Sequence, residues 1–168
     1  MSDINDGEPR RLDPRVITLD RVVGAIVSAC VSAALLVALV ILWLAGDSLP
    51  AWGGVVMAGA WLAVTAGLAW LLYRWPPLHY RHTSYTLDAQ GIEIRTGVYW
   101  RTVLAVPRSR VQHIDVSQGP IERSYGLGTL VIYTAGTAHS QVSLAGLDHQ
   151  VALLLRDHLL PANDDDAI

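Results

Sequence analysis

The sequence of 168 residues contains no lysine and a single cysteine, Cys30. One cysteine excludes an intramolecular disulfide, and its position in an apolar run indicates a small buried side chain and not a catalytic nucleophile. The lack of lysine, together with the lack of a GxxxxGKS/T pattern, excludes a phosphate-binding loop of that type. The net charge of −3 provides no global basic field, so we expect no nucleic-acid partner.

Charge is also missing from two long apolar runs, 22–44 and 51–73, each of 23 residues. A helix of that length spans about 34 Å, against a hydrocarbon core of about 30 Å. Neither run has the polar stripe of a helix buried in a soluble protein. The first run exceeds the roughly 7–15 residues of a signal-peptide core. We therefore predict two antiparallel transmembrane helices, joined by a short external link at 45–50.

Arginines flank only one end of each run, and the link carries no positive charge. These residues are Arg10, Arg11, Arg15, Arg21, Arg74 and Arg81. Because arginine is retained on the cytoplasmic side, we predict a multi-pass protein of the inner (cytoplasmic) membrane with both termini in the cytoplasm. The polar residues 1–21 show little periodicity, so they are predicted to form a disordered cytoplasmic tail.

Small residues recur every four positions in both apolar runs. The two strips are Gly24, Ser28 and Ser32 in the first run and Gly59, Ala63 and Gly67 in the second. Such strips allow transmembrane helices to approach closely, so they are candidates for the contact between the two helices. Chance spacing in alanine- and glycine-rich helices explains them equally well.

Residues 75–161 show the alternation of β-strands, followed by one helical stretch. Strands are predicted at 84–87, 92–95, 99–106, 111–117, 130–134 and 141–144. Tight turns fall at 88–91, with Gly91 supplying a positive φ, and at Thr96-Gly97. Asp148 is the predicted N-cap of the final helix, with Val151, Leu154, Leu155 and His158 on its buried face. The pattern predicts antiparallel strands closed by a C-terminal amphipathic helix, before a solvated acidic tail at 162–168.

Several short motifs occur in order along this segment. They are Tyr85-Thr86-Leu87, Gly91-Ile92, Gly97, Pro107 with Arg110-Val111-Gln112, Gln118-Gly119-Pro120, Arg123-x-Tyr125-Gly126-Leu127 and Thr134-Ala135-Gly136. With this spacing, the sequence over roughly 75–160 resembles the bacterial pleckstrin-homology-like membrane proteins of the YdbS-like type. The preceding hairpin also fits the layout of that family.

The resemblance implies a seven-stranded pleckstrin-homology-like barrel with a C-terminal helix. Six strands are visible, so the seventh is expected from a split strand or within 121–128. The family positions with a structural role are Gly91, Gly97, Pro107, Gln112, Gly119, Pro120, Arg123, Tyr125, Gly126 and Gly136. The resemblance also suggests assembly with a larger paralogue that carries several copies of the domain.

Five arginines of the domain are candidates for contact with lipid headgroups or a partner: Arg95, Arg101, Arg108, Arg110 and Arg123. Arginine suits bidentate phosphate binding, and the tether holds the domain near an anionic leaflet. The alternative is that these are ordinary exposed residues. Arg123 in particular is a candidate for a structural role, with its side chain holding the 123–127 turn through hydrogen bonds to carbonyls.

Two histidine patterns are candidates for chemical sites. His79 and His82, in an extended segment, point to opposite faces, which is poor metal geometry. His113 and Asp115 share a strand face, and an exposed face explains them better than an acid/base pair. We therefore expect no catalytic residues, metal or cofactor.

The leading interpretation is a non-enzymatic inner-membrane protein that presents its domain to the cytoplasm as a docking or assembly module. The expected partners are the lipid bilayer and a paralogue or further copies of the chain. The first alternative is a sensor of anionic lipids at the membrane surface. A remote alternative is an enzyme with an unrecognised site.

Overall fold

The computed structural model describes residues 7–45, 51–135 and 141–160. Most of the predicted external link, the family position Gly136 and the acidic tail lie outside these ranges. The chain divides into two compact units. One contains residues 20–76, and the other combines the N-terminal residues up to Leu19 with those from Pro77 onward.

Helices α1 (Arg15–Ala45) and α2 (Ala51–Arg81) contain the two predicted apolar runs. Each has 31 residues, and both are long and apolar enough to cross a membrane. α2 continues beyond the predicted run, through Pro76 and Pro77. Proline removes a backbone donor, but membrane helices tolerate it where other groups satisfy the freed carbonyls.

The first small-residue strip lies where α1 meets α2. Gly24 is buried, and a Cβ atom at this position would lie 3.2 Å from Cβ of Leu72. Trp61 Nε1 donates a hydrogen bond to the backbone carbonyl of Ser32 at 3.1 Å. α1 therefore presents small residues to larger side chains of α2, as ridges fit into grooves.

The second strip does not face α1, so that part of the packing prediction is wrong. A Cβ atom at Gly59 or Gly67 would meet no described atom within 4 Å, and Ala63 is exposed. We call Gly59, Ala63 and Gly67 the outer stripe. Trp61 and Leu72 of α2 already fill the contact with α1, which leaves the outer stripe on the outside of the hairpin.

The other unit contains two antiparallel sheets. The first has the order β1 (Pro9–Arg11), β2 (Ser84–Leu87), β3 (Gly91–Thr96) and β4 (Thr102–Pro107). The second contains β5 (Val111–Ser117), β6 (Leu127–Thr134) and β7 (Gln141–Asp148). A short 3-10 helix at Arg108–Arg110 and helix α3 (Pro120–Ser124) connect the strands, and α4 (His149–Leu159) follows them.

The predicted fold class is confirmed: antiparallel strands and a C-terminal helix share one hydrophobic core. Ile92 of the first sheet, Ile132 of the second and Leu155 of α4 are all buried in it. Within the described residues, the strands pair as two sheets and not as one continuous hydrogen-bonded barrel. α4 lies against the second sheet and covers the core.

β1 comes from the N-terminal segment, so the prediction of a disordered tail is wrong for this part of it. Arg10 lies opposite Tyr85 in an antiparallel register, and Leu12 is only 5% exposed in the core. β1 is the strand that the sequence left unassigned. The segment 121–128, where the seventh strand was expected, is partly helical, since α3 occupies Pro120–Ser124.

Several predicted elements differ from the structure at their edges. β6 begins at Leu127 and not at 130, and β7 continues to Asp148 and not only to 144. The third predicted strand began at Tyr99, but β4 begins at Thr102. The cap of α4 is confirmed because Asp148 Oδ1 accepts a hydrogen bond from Gln150 N at 2.9 Å. Its buried face is Ala152, Leu155 and Leu159, whereas the predicted core residue Leu154 is 47% exposed.

Candidate functional site

The most exposed aromatic residues of the domain lie in the hairpin between β3 and β4. We call residues 97–101 the aromatic tip. Tyr99 is 81% exposed and Trp100 is 89% exposed. Gly97 has a φ of +120°, and a Cβ atom there would lie 1.7 Å from the carbonyl oxygen of Trp100. The predicted tight turn at Thr96-Gly97 is wrong in its length, because Thr96 still pairs with Thr102 and residues 97–101 form a five-residue connection. Only glycine permits the backbone approach at position 97.

Sequence reasoning missed Tyr99 and Trp100 as surface residues because it placed them in a strand. Aromatic residues favour strands, so their propensity supported that assignment. A signal was nevertheless present. The aromatic pair begins two residues after Gly97, in the connection of a hairpin, where side chains normally face solvent.

Arg95 and Arg101 are the two candidate arginines that the structure brings together. Arg95 is the penultimate residue of β3, and Arg101 directly precedes β4, whose Thr102 pairs with Thr96. Arg95 Nε donates to Glu93 Oε1 at 2.5 Å. Arg101 is exposed and forms no ion pair among the described residues. The base of the aromatic tip therefore carries two guanidinium groups, one of them paired.

Arg108 and Arg110 lie at the other end of β4, separated from Arg101 by roughly 20 Å of extended chain. Arg108 Nη2 donates to the carbonyl of Leu160, just after α4, at 3.1 Å. This guanidinium therefore ties the 3-10 helix to the C-terminal end of α4. Arg110 is exposed, and its carbonyl accepts a hydrogen bond from Ala135 N at 3.0 Å.

Arg123 lies on α3, and its side chain is not what holds the following turn. Its carbonyl accepts from Gly126 N at 3.2 Å, while its side chain is exposed. Arg15 is the residue whose guanidinium reaches the turn, with Nη1 donating to the carbonyl of Tyr125 at 3.0 Å. The structural role expected of the Arg123 side chain thus belongs to Arg15. The five candidate arginines do not form one site.

Arg15 is the centre of a polar cluster that fastens the N-terminal segment to the domain. Its Nη2 lies 2.8 Å from Asp13 Oδ2 and 2.6 Å from Asp148 Oδ2. These hydrogen bonds from Arg15 hold the pKa of Asp13 below its ordinary value, although partial burial opposes them. Asp13 N also donates to the carbonyl of Gly146 in β7 at 2.9 Å, which links the segment that follows β1 to the second sheet.

Several of the family positions have identifiable structural roles among the described residues. Gly91 does not have a positive φ, so that prediction is wrong. Glycine is required there because a Cβ atom would lie 2.1 Å from the carbonyl oxygen of Val106 in the adjacent strand. Gln112 lies where the register of β5 against β6 shifts.

The Gly119-Pro120 motif begins α3. Pro120 occupies its first turn, and Gly119 N donates to Glu122 Oε2 at 2.7 Å. Gln118 Nε2 donates to the carbonyl of Leu127 at 2.6 Å, and Gly126, with a φ of +67°, accepts from His149 N at 3.0 Å. The motif residues therefore position the α3 turn between β6 and the start of α4.

The histidine patterns form no assembled site in the described residues. His79 lies in the last turn of α2 and His82 follows it, with His82 Nδ1 2.8 Å from the carbonyl of Leu78. The expectation of an extended segment there is wrong. His113 and Asp115 share a face as predicted, 2.6 Å apart, with side chains 66% and 50% exposed. No group of three histidine, cysteine or acidic side chains in residues 7–45, 51–135 and 141–160 is placed to hold a metal.

The comparison with known families agrees with this arrangement. The family model described as the bacterial PH domain matches residues 19–163, which is most of the chain and covers all of α2 and all but the first turn of α1. The chain belongs to the bacterial PH domain family. No solved structure gives a significant match to this bacterial PH domain protein.

A curated relative supports the membrane location of this bacterial PH domain protein. The UPF0699 transmembrane protein YdbS of Bacillus subtilis (strain 168) is 35% identical to it over 115 residues. The matched region covers 63% of this chain and 70% of the relative. The similarity and the two apolar helices identify a membrane protein with a bacterial PH domain.

Proposed function

We propose that this bacterial PH domain protein is a non-enzymatic assembly module of the inner membrane. In this proposal, α1 and α2 anchor the chain with both termini in the cytoplasm, and the domain is presented there for docking. The partner is a further copy of the chain or a paralogous membrane protein with several copies of the domain. The one-sided distribution of arginines around the apolar runs supports the orientation.

The outer stripe is the observation that carries the assembly proposal. Gly59, Ala63 and Gly67 are exposed on the side of α2 that does not contact α1. Their spacing of four places them in one row along about 12 Å of helix. In lipid, helices associate through close packing at small residues and not through burial of apolar area from water. The row therefore offers a backbone-to-backbone contact for a third helix.

The test is purification of the tagged full chain in a gentle detergent, with mass measurement of the particle. We expect a stoichiometric homo-oligomer or a complex with a second membrane protein. Ala63→Leu should reduce the complex several-fold, because the larger side chain separates the helices. Ala33→Leu is the matched control, since Ala33 is an exposed alanine of α1. A strictly monomeric particle without a partner contradicts the proposal.

Contact with anionic lipid is a second candidate function. Arg101, Arg110 and Arg123 have exposed side chains with no ion pair among the described residues, which favours recognition of an external anion. The full chain, held in nanodiscs of neutral lipid, should then bind phosphatidylglycerol vesicles, and binding should weaken as salt rises. Changing the three arginines to glutamine should weaken it several-fold. Equal binding to neutral vesicles removes this candidate.

The lipid experiment requires the whole chain. β1 and Leu12 belong to the first sheet and the core, so a fragment beginning at residue 75 lacks part of its own domain. If that fragment failed to bind lipid, the result would not show whether a lipid contact was lost or the domain was misfolded.

A further inference from the structure

We propose that the aromatic tip inserts into the headgroup region of an anionic bilayer. The inference rests on the lipid-contact candidate above and deepens it, because it assigns the contact to residues 97–101 and adds an apolar anchor to the arginines. The juxtaposition that carries it is an exposed Tyr99-Trp100 pair between Arg95 and Arg101 at the end of a hairpin.

The exposure of the tip is exceptional within its own domain. Tyr99 and Trp100 are 81% and 89% exposed, and Val103, just inside β4, is 60% exposed. The other exposed large apolar side chains described between residues 77 and 160 are 37–47% exposed: Leu78, Ile121 and Leu154. The apolar exposure is thus concentrated at one end of the β3–β4 hairpin. Grouped exposure of this kind marks an interaction site.

The side chains of the tip match the chemistry of a bilayer interface. Tryptophan and tyrosine rings sit at the level of the headgroups, with the apolar ring towards the acyl chains and the polar group towards water. The guanidinium of Arg101 can then bind lipid phosphate oxygens. Residues 97–101 contain no acidic side chain, and the nearby Glu93 forms an ion pair with Arg95. Arg101 therefore supplies most of the attraction to negative charge.

The size and shape of the tip favour lipid over protein. A stable protein interface covers about 800 Å² on each partner, which a five-residue turn at the end of a hairpin does not provide. A bilayer interface accepts a narrow wedge, because lipid molecules move apart around it. The chain also carries its own membrane helices, so a bilayer is always within reach of the domain.

The backbone of the tip is set before any contact is made. The carbonyl of Trp100 packs against the Cα of Gly97 so closely that no side chain fits between them. Ordering a loop on binding costs free energy, and a loop that is already ordered avoids most of that cost. The two rings are therefore presented on a closed turn and not on a loose loop.

The experiment uses the full chain with Cys30→Ala and one new cysteine that carries an environment-sensitive fluorophore. Val103→Cys places the label beside the tip, and Ser143→Cys, at an exposed position of β7, is the control. Each protein is reconstituted into phosphatidylglycerol liposomes with lipids spin-labelled near the headgroup. In liposomes the domain can reach its own bilayer or a neighbouring one.

We expect quenching at position 103 to exceed that at position 143 several-fold. Tyr99→Ser with Trp100→Ser should reduce it to the control level, while Arg101→Gln or neutral lipid should reduce it in part. Since both aromatic positions are exposed, the double variant should keep the melting temperature of the parent.

Equal quenching at the two positions overturns the proposal, as does quenching that survives the double variant. A label at position 103 that becomes shielded only when a protein partner is added also overturns it, since the tip would then bind protein. If vesicle binding still depends on Arg110 and Arg123 while the tip stays unquenched, lipid contact stands and only the tip assignment fails. Partner recovery, tested through Ala63→Leu, is independent of each of these outcomes.

Discussion

Arg15 in the first turn of α1 and Asp148 at the N-cap of α4 are joined by a contact of 2.6 Å between Nη2 and Oδ2. The two oxygens of Asp148 divide their roles, because Oδ1 accepts from the backbone of α4 while Oδ2 accepts from Arg15. One carboxylate therefore both caps α4 and binds Arg15 of the N-terminal segment. The bacterial PH domain is thus assembled from the two ends of the chain.

Arg15→Ala should lower the melting temperature of the domain by a few degrees, measured on the full chain in nanodiscs by a probe of its tertiary structure. The substitution removes the hydrogen bonds to Asp13, Asp148 and the Tyr125 carbonyl together. Arg15→Lys should recover only part of the loss, since one ammonium group cannot replace the planar fork of donors. Arg11→Ala removes the same charge from an exposed position of β1 and serves as the control. Equal losses for Arg11→Ala and Arg15→Ala would contradict the fastening role.

Stability should fall in acid partly through Asp13. Because hydrogen bonds from Arg15 lower its pKa in the folded state, its contribution is complete above the ordinary value of 3.8 and is lost as the pH falls through the folded pKa. The difference in melting temperature between the parent and Asp13→Asn should therefore stay constant from neutral pH down to about 5 and then shrink below about 4. In the Arg15→Ala background the difference should largely disappear. If the difference in melting temperature between the parent and Asp13→Asn grew as the pH fell, the proposed role of Asp13 would be wrong.

Leu12→Ala should destabilise the domain by about 2–4 kcal/mol, because it opens a cavity in the core. Leu12 is 5% exposed, and its Cδ1 would lie 3.6 Å from a Cβ atom built at Gly146. Thermal unfolding of the full chain measures the effect, with Leu154→Ala as the matched control because Leu154 is 47% exposed. The control should cost less than about 1 kcal/mol. Equal costs would mean that the N-terminal segment does not pack into the core.

The topology can be tested by cysteine labelling in a Cys30→Ala background. Ser48→Cys, in the link between the apolar runs, should react with an impermeant thiol reagent in intact cells, because that link lacks arginine. Ser143→Cys, at an exposed position of β7, should react only after lysis. Labelling of position 143 in intact cells would place the domain outside and remove the argument for a cytoplasmic anionic leaflet.

Much of the fold follows from local sequence patterns. The two apolar runs predict α1 and α2 because run length and lack of charge decide membrane spanning without reference to the rest of the chain. Strand alternation located β2 to β7 approximately, and Asp148 marked the start of α4. The motif spacing led to the bacterial PH domain family.

Local sequence patterns predicted only part of the candidate site. Arg95 and Arg101 were named, but their proximity depends on the pairing of β3 with β4. Arg108 was named with them although its guanidinium binds the end of α4. Tyr99 and Trp100 were not predicted to be exposed, because aromatic residues favour strands and the pairing of β3 with β4 is not visible in the sequence.

The sequence by itself determined which two segments are long and apolar enough to cross a membrane and which segments alternate, because length, charge and hydrophobic periodicity are properties of neighbouring residues. Only the tertiary structure decided that Pro9–Arg11 is a strand, since three residues without apolar alternation acquire their conformation from pairing with β2. The same holds for the direction of the outer stripe and for the contact of Arg15 with Asp148. Such features depend on contacts between residues that are far apart in the sequence, and a local sequence pattern does not specify those contacts.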